Sequence, residues 1–268
     1  MLKKKFFICL LVLTIVQSYF VLAGLEWHAK IVNMRGEKED IGNVHLYAQS
    51  GNVREEFTKG RVNPLAKEGS YFLYKSEGNM VYLVNPKDKT YAEFPMELML
   101  QSMTSSQMMQ ITISNAKVDV KKLATETIGS YKCEHIMINS SYDMKMKVMF
   151  MSMEHHIEQV NELWLTKDVP INEISDNYFQ KSFKTGLKDL DDLIKKYQDV
   201  IGDKGFMMKS ILDNKTTDLK TKKTEHTIME IDTYDVQSKK LDSSLFEIPA
   251  NYNKVELFPT ELPFGKKK

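Results

Sequence analysis

Apolar and polar residues alternate with a period of two along most of this chain, and that alternation constrains the fold more than any other feature. Leu25, Trp27, Ala29 and Ile31 alternate with Glu26, His28 and Lys30. Successive side chains of a strand point to opposite faces, so such a run reads as a strand buried on one side. Val44, Leu46 and Ala48 continue the pattern into Ser50-Gly51, and it returns over 53–57, which predicts a hairpin. Runs at 71–75, 80–84 and 90–94 are separated by the turn-forming Ser76-Glu77-Gly78-Asn79 and Asn85-Pro86-Lys87-Asp88-Lys89, which predicts a meander. Later candidate strands are 111–114, 117–120, 131–140, 144–153, 160–166 and 227–234. Strands that follow one another without a helix between each pair favour an antiparallel sheet over a βαβ arrangement.

Helical spacing interrupts this pattern in two regions. In 95–109, Pro95 takes a first-turn position, and Met96, Met99, Leu100 and Met103 share a face. In 187–201, Leu187, Leu190, Leu193, Ile194, Tyr197 and Ile201 recur at helical intervals among Lys188, Asp191, Asp192, Lys195 and Lys196, and Gly202 supplies a stop. Ile174, Tyr178, Phe179 and Phe183 form an aromatic stripe before it, and Phe206, Met207, Met208, Ile211 and Leu212 form another after it. The expected fold class is therefore α+β, an antiparallel sheet with helices covering an apolar face. Helices over 174–212 serve either as plain packing or as a lid over a cavity, and amphipathicity fits both.

The N-terminus has the order of a secretory signal peptide. Lys3, Lys4 and Lys5 precede an apolar stretch at 6–16, and Val21-Leu22-Ala23 places suitable residues three and one before a cut at Gly24. The stretch is short of the roughly 20 apolar residues that a membrane span needs. No cysteine stands immediately after the cut, and Cys9 lies inside the apolar core, so lipid anchoring is not expected. The expected organisation is a signal peptide at 1–23 and a single exported domain at 24–268, periplasmic or secreted, with a short basic tail and no stable membrane anchor. Cleavage removes Lys3, Lys4 and Lys5 and no acid, which takes the formal charge from +1 to −2. A near-neutral surface argues against a nucleic-acid partner, and Lys266-Lys267-Lys268 reads as a solvated tail.

Chemistry-bearing patterns are few. Cys133 is the one cysteine beyond the signal, so no internal disulfide forms, and its place in a strand reads as a buried thiol. His135 shares a strand face with it, but a catalytic Cys/His pair needs a third, orienting group. There is no Gly-x-Ser-x-Gly elbow, Gly-rich phosphate loop, His-Glu-x-x-His or Cys-x-x-Cys, and neither catalysis nor a cofactor is expected. One constellation stands out: Met144, Met146, Met149, Met151 and Met153, followed by His155 and His156. On one continuous strand, Met149, Met151, Met153 and His155 would share a face. Thioether and imidazole ligands suit Cu(I). One strand, however, spaces alternate side chains about 6.5 Å apart, at ~3.3 Å per residue, so a partner strand would be needed to wrap an ion. The favoured reading is a flexible apolar wall with no metal, since methionine fills irregular gaps and suits variable apolar ligands.

Four stretches carry a family resemblance: Asn85-Pro86-Lys87-Asp88-Lys89-Thr90-Tyr91, Gly129-Ser130-Tyr131-Lys132-Cys133-Glu134, Glu162-Leu163-Trp164-Leu165-Thr166-Lys167-Asp168-Val169-Pro170, and Leu245-Phe246-Glu247-Ile248-Pro249-Ala250-Asn251-Tyr252. Together they resemble the exported bacterial family known as domain of unknown function 4412, similar in pattern to LolA/LolB-type lipoprotein carriers. The resemblance implies a strongly curved antiparallel sheet, an incomplete barrel, whose concave apolar side is plugged by helices. Asn251 stands where that pattern has glycine, and asparagine tolerates positive φ better than most residues. The resemblance supplies no catalytic residues. It implies a carrier or binder of lipid or lipidated partners, with groove candidates Met149, Met151, Met153, Tyr178, Phe179, Phe183, Leu190 and Phe206. The alternatives are soft-metal (copper) binding by the methionine strand and a non-catalytic structural or interaction module. Intact-mass analysis of the exported protein should place its N-terminus at Gly24; a chain that keeps 1–23 and fractionates with membrane contradicts the cut.

Overall fold

The computed structural model describes residues 24–36, 38–60, 66–95, 109–148, 151–169, 188–201 and 205–256. The strands are β1 (Gly24–Arg35), β2 (Lys38–Gln49), β3 (Asn52–Lys59), β4 (Tyr71–Lys75), β5 (Met80–Asn85), β6 (Thr90–Pro95) and β7 (Met109–Lys122). They continue as β8 (Glu126–Ile128), β9 (Tyr131–Val148), β10 (Met151–Thr166), β11 (Phe206–Asp218), β12 (Thr224–Lys239) and β13 (Asn253–Lys254). Among the described residues one α-helix, α1 (Lys188–Ile201), lies between β10 and β11. The strands form one sheet in the order β13-β6-β5-β4-β3-β2-β1-β12-β11-β10-β9-β7, with β8 paired to β9. Short turns set the antiparallel pairing of sequence neighbours such as β2 with β3 and β4 with β5, while β1–β12 and β10–β11 pair antiparallel across long separations. Among the described strands β13 alone runs parallel to its neighbour, β6.

Local sequence explains the hairpins. Ser50 and Gly51 both take positive φ, 52° and 76°, between the paired Gln49 and Asn52. Two positive φ values define the tight turn whose twist matches that of paired strands. In the β5–β6 turn, Lys89 sits at φ 51° and the Asn85 side chain accepts from the Asp88 N–H at 3.4 Å. The two runs expected at 111–114 and 117–120 merge into β7, whose register shifts between Ser114 and Lys117.

The α+β expectation, with helices packed over a concave face, is overturned. The described chain is nearly all-β, a large open sheet, and α1 packs against β7 near one end of the strand order. Phe206, Met207, Met208, Ile211 and Leu212, expected on a helix, belong to β11. A short unbroken apolar run fits a buried strand as well as a helix, and tertiary pairing decides between them. Here Gly205, at φ 103°, lies so close to the end of β10 that an added Cβ would stand 2.1 Å from the Thr166 carbonyl oxygen. That approach admits glycine and delivers the following residues to the β10 ladder, where Phe206 pairs with Thr166. Of the other expected helices, 96–108 and 170–187 lie outside the described residues.

The sheet is not flat. The Tyr131 hydroxyl donates to the Val236 carbonyl at 3.4 Å, joining β9 to β12 across three ladders. Three flat steps would separate those strands by about 14 Å, beyond the reach of a tyrosine, so the sheet coils here. The coil buries Leu25, Trp27, Cys133, Trp164, Phe206 and Met208 in one cluster, with Phe206 edge-on to Trp27 at 5.4 Å between ring centres. Ile136, Ile138, Leu163 and Leu165 form another, against which Tyr197 of α1 packs. The Tyr197 hydroxyl donates to Ser140 Oγ at 2.6 Å, which fixes the helix on β9.

Candidate functional site

Residues 24–95 form a six-stranded half-sheet whose two faces differ. On one face, Tyr71, Leu73 and Val84 are covered by Leu241 and Phe246, with Tyr47, Tyr82, Tyr91, Leu245, Ile248 and Tyr252 around them. The closing segment is held there by polar bonds: Gln49 Oε1 accepts from the Leu241 N–H at 2.9 Å, and Arg54 donates to the Leu245 carbonyl at 2.9 Å. Arg54 also lies 3.7 Å from the Tyr71 ring centre and pairs with Glu56. The segment ends in a turn in which the Tyr252 N–H donates to the Pro249 carbonyl at 3.0 Å. Asn251 is not among the residues at positive φ, so the turn does not call on the conformational freedom of glycine there.

The opposite face is apolar with one interruption. Register places Ala92, Leu83, Phe72, Glu55, Leu46 and Trp27 in a single row across β6, β5, β4, β3, β2 and β1. Glu55 thus stands between Leu46 and Phe72, with Val53 and Phe57 two residues either side on its own strand. Leu46 and Phe72 are half-buried and pack against two clusters, one holding Trp27, Val53 and Tyr74, the other Ala29, Val44 and Phe57. Glu55 is itself half-buried, and no described residue hydrogen-bonds or ion-pairs with its carboxylate. Burial pushes this carboxyl up to about 6, because the charged form loses hydration without gaining a partner. A carboxyl perturbed by burial on an apolar face marks a candidate binding site. The sequence carried a signal for it: in Val53-Arg54-Glu55-Glu56-Phe57, the acid at 55 has the parity of the two inward apolar residues.

Most other polar groups have partners within the protein; among the described residues the buried His28 Nδ1, Arg54 Nε, Ser152 Oγ, His155 Nδ1 and Asn161 Oδ1 do not. His45 stacks on His28 at 3.9 Å, donates from Nε2 to the Glu26 carboxylate at 2.7 Å, and its Nδ1 meets the Tyr47 hydroxyl at 2.8 Å. Burial raises the Glu26 carboxyl, but hydrogen bonds from Lys239 and His45 outweigh it and hold Glu26 below the usual range. His135 lies between Glu126 at 3.0 Å and Glu162 at 2.8 Å, stacked on Trp164 at 4.0 Å. Its neighbour Cys133 is fully buried, and burial raises the thiol further from the thiolate. Cys133 is therefore a core residue, not an activated nucleophile.

The methionine expectation changes in form. β9 ends at Val148 and β10 begins at Met151, so the methionines lie on two strands of a hairpin. Met146 faces Met153 and Met144 faces His155 across the ladder. Met153 is exposed at 38%. Met151 opens β10 opposite Val148, Leu190 lies in α1, and Met149, Tyr178, Phe179 and Phe183 lie outside the described residues. Phe206 is buried against Trp27. Among the described residues no group of three His, Cys, Asp or Glu side chains is placed to hold a metal, and no helix is long and apolar enough to cross a membrane.

The model of the family "Domain of unknown function (DUF4412)" matches residues 32–252, and the chain belongs to that family. No curated protein sequence matches it. Among solved structures, it is similar to an uncharacterized conserved protein from Thermus thermophilus, at 11% identity and TM-score 0.36, over 86% of this chain and 90% of that one. It is also similar to a protein domain from Vibrio parahaemolyticus named for outer membrane lipoprotein sorting, at 8% identity and TM-score 0.32, over 84% and 89% of the two chains. A DUF1329 family protein from Desulfovibrio piger aligns at 9% identity and TM-score 0.25, over 87% and 93%. These TM-scores lie below 0.5, so the functional reading starts from this chain's own residues.

The raised carboxyl sets a pH dependence. A group that holds its proton more tightly when folded makes folding less favourable as pH climbs from its ordinary value, 4.5, to about 6. Replacing Glu55 by Gln should therefore leave stability unchanged near pH 4 and raise it by up to ~2 kcal/mol at pH 7.5, following 1.36 kcal/mol per pH unit. Urea unfolding at the two pH values checks this; an equal effect at both contradicts it.

Proposed function

We propose that this is a non-catalytic envelope protein that binds an apolar chain, a lipid or the lipid of a lipidated partner, on the face lined by Ile31, Leu46, Phe72, Leu83 and Ile231. The observation that supports it is a run of half-buried apolar side chains, Ile31, Leu46, Phe72 and Leu83 with Ile231 of the adjoining β12, on the side of the half-sheet that the segment 241–252 does not cover. They lie beside the buried Ala29, Val44 and Phe57, which give that side an apolar floor. Each methylene moved from water onto such a surface is worth about 0.8 kcal/mol, so an acyl chain of ordinary length gains useful affinity there. The signal-peptide order of residues 1–23 supports an exported, periplasmic or secreted, location.

Titration with a fluorescent fatty-acid probe should give saturable, stoichiometric binding. Leu46→Gln and Leu83→Gln should each weaken it by about threefold to tenfold, the cost of one or two methylene contacts. Non-saturable binding contradicts the reading and favours a structural or partner-binding module.

A second reading, soft-metal binding, is favoured by one observation: the hairpin supplies the partner strand that sets Met146 opposite Met153 and Met144 opposite His155. It stays second because Ile111 and Ile113, which face Met146 and Met144 from β7, offer no donor atoms. Competition with a Cu(I) chelator should show no tight stoichiometric binding. Tight binding that is lost when Met146 and Met153 become leucine, an exchange that preserves volume, would put copper in place of lipid.

A further inference from the structure

The apolar-chain reading leaves Glu55 unexplained. A chain needs no acid beneath it, and a carboxylate opposite Leu46 and Phe72 has no described partner to offset its lost hydration. We infer that Glu55 is the polar anchor of the bound molecule and that the site selects lipids whose polar end carries an ammonium group. The inference rests on the proposed binding face and names the chemistry of its ligand. A carboxylate flanked by apolar side chains is complementary to one kind of amphiphile above others. Its cation would meet Glu55 while its chain lies along the half-buried Phe72 and Leu83 or Leu46 of the same row. A charge-assisted bond of this kind is about twice as strong as a neutral one, and here it would replace no bond to a described residue. An anionic head would meet like charge instead.

The groups around Glu55 leave its titration simple. On its own face it is bordered by Val53 and Phe57 from β3, Val44, Leu46 and Ala48 from β2, and Phe72 and Tyr74 from β4. Tyr74 is the one titratable side chain in that set, and its hydroxyl donates to Asn79 Oδ1 at 3.1 Å. Arg54 and Glu56 point to the opposite face, where they pair with each other. Affinity for an ammonium lipid should thus follow ionisation of Glu55 with little interference. Protonation near pH 6 would withdraw the anchor.

The test uses the full exported chain and displacement of a bound apolar fluorescent probe. Competitors are dodecylamine and dodecanol, then lyso-phosphatidylethanolamine and lyso-phosphatidylglycerol of one chain length. At pH 8 the wild-type protein should prefer the ammonium member of each pair by about tenfold or more, and the preference should shrink about tenfold at pH 5, as ionisation of a group near pH 6 requires. Glu55→Gln should bring both ratios close to one, and Glu55→Asp should retain the preference. If Glu55→Gln does not fold, the wild-type ratios at the two pH values decide alone. Equal displacement within both pairs overturns the inference while leaving the apolar-chain reading intact. Preference for dodecylamine without preference for the ethanolamine lipid overturns the lipid assignment. Failure of the probe to bind at all overturns both.

Discussion

The ladder between β1 and β12 is the contact on which the rest of the structure depends. It joins β1–β6 with β13 to β7–β12, and without it one sheet becomes two. Its partners are about 200 residues apart, as in Ala29 with Thr233 and Ile31 with Ile231. Loop closure over such a span costs entropy before the contact repays it, and this favours slow folding. The ladder also shifts register between Glu26 and His28, opposite Asp235 at φ 52°. That irregularity turns the strand ends together, and the coil that buries Trp27 against Phe206 lies at the same end.

Once the two halves are joined, each face must be covered or stay wet. The chain covers one face of the first half with its own closing segment, and it secures that segment by Gln49 and Arg54, both on strands of the half being covered. The family stretch from Leu245 to Tyr252 is therefore a structural clasp. Its aromatic and aliphatic side chains fill the tyrosine-rich face of β2, β4, β5 and β6, and the turn at Pro249 returns the chain to the sheet edge as β13.

Much of this was legible in the sequence. Strand parity at Leu25, Trp27, Ala29 and Ile31 gave the buried face, and Ser50-Gly51 gave the hairpin, because both are local consequences of backbone geometry. The strand at 206–218 was not legible: Phe206, Met207 and Met208 are consecutive and lack a period, and their pairing with Leu165 and Thr166 is a tertiary decision. The methionine segment misled differently. Met144, Met146 and Val148 have one parity and Met149, Met151 and Met153 the other; Val148 pairs with Met151, and no glycine or proline stands between them to announce two strands. Glu55 was overlooked because adjacent charges at 54, 55 and 56 look like an exposed patch until cross-strand register gives each a side.

Register also separates groups that hold the fold from a group that is available. His45 is paired with Glu26, His135 with Glu126 and Glu162, His156 with Asp143, and His226 with Asp213. Each of these imidazoles sits beside a carboxylate, and the bonds join neighbouring strands or strand segments. Such pairs position the sheet and leave little capacity for another molecule, since a satisfied donor gains nothing net by exchanging partners. Glu55 differs in kind. Its neighbours across both ladders are apolar, its carboxyl is pushed up by burial alone, and the arrangement lowers the stability of the empty protein. A sheet that needed only to fold would place leucine or threonine at that parity. A cation bound from outside would recover that cost, which the histidines paired with carboxylates could not do by binding one.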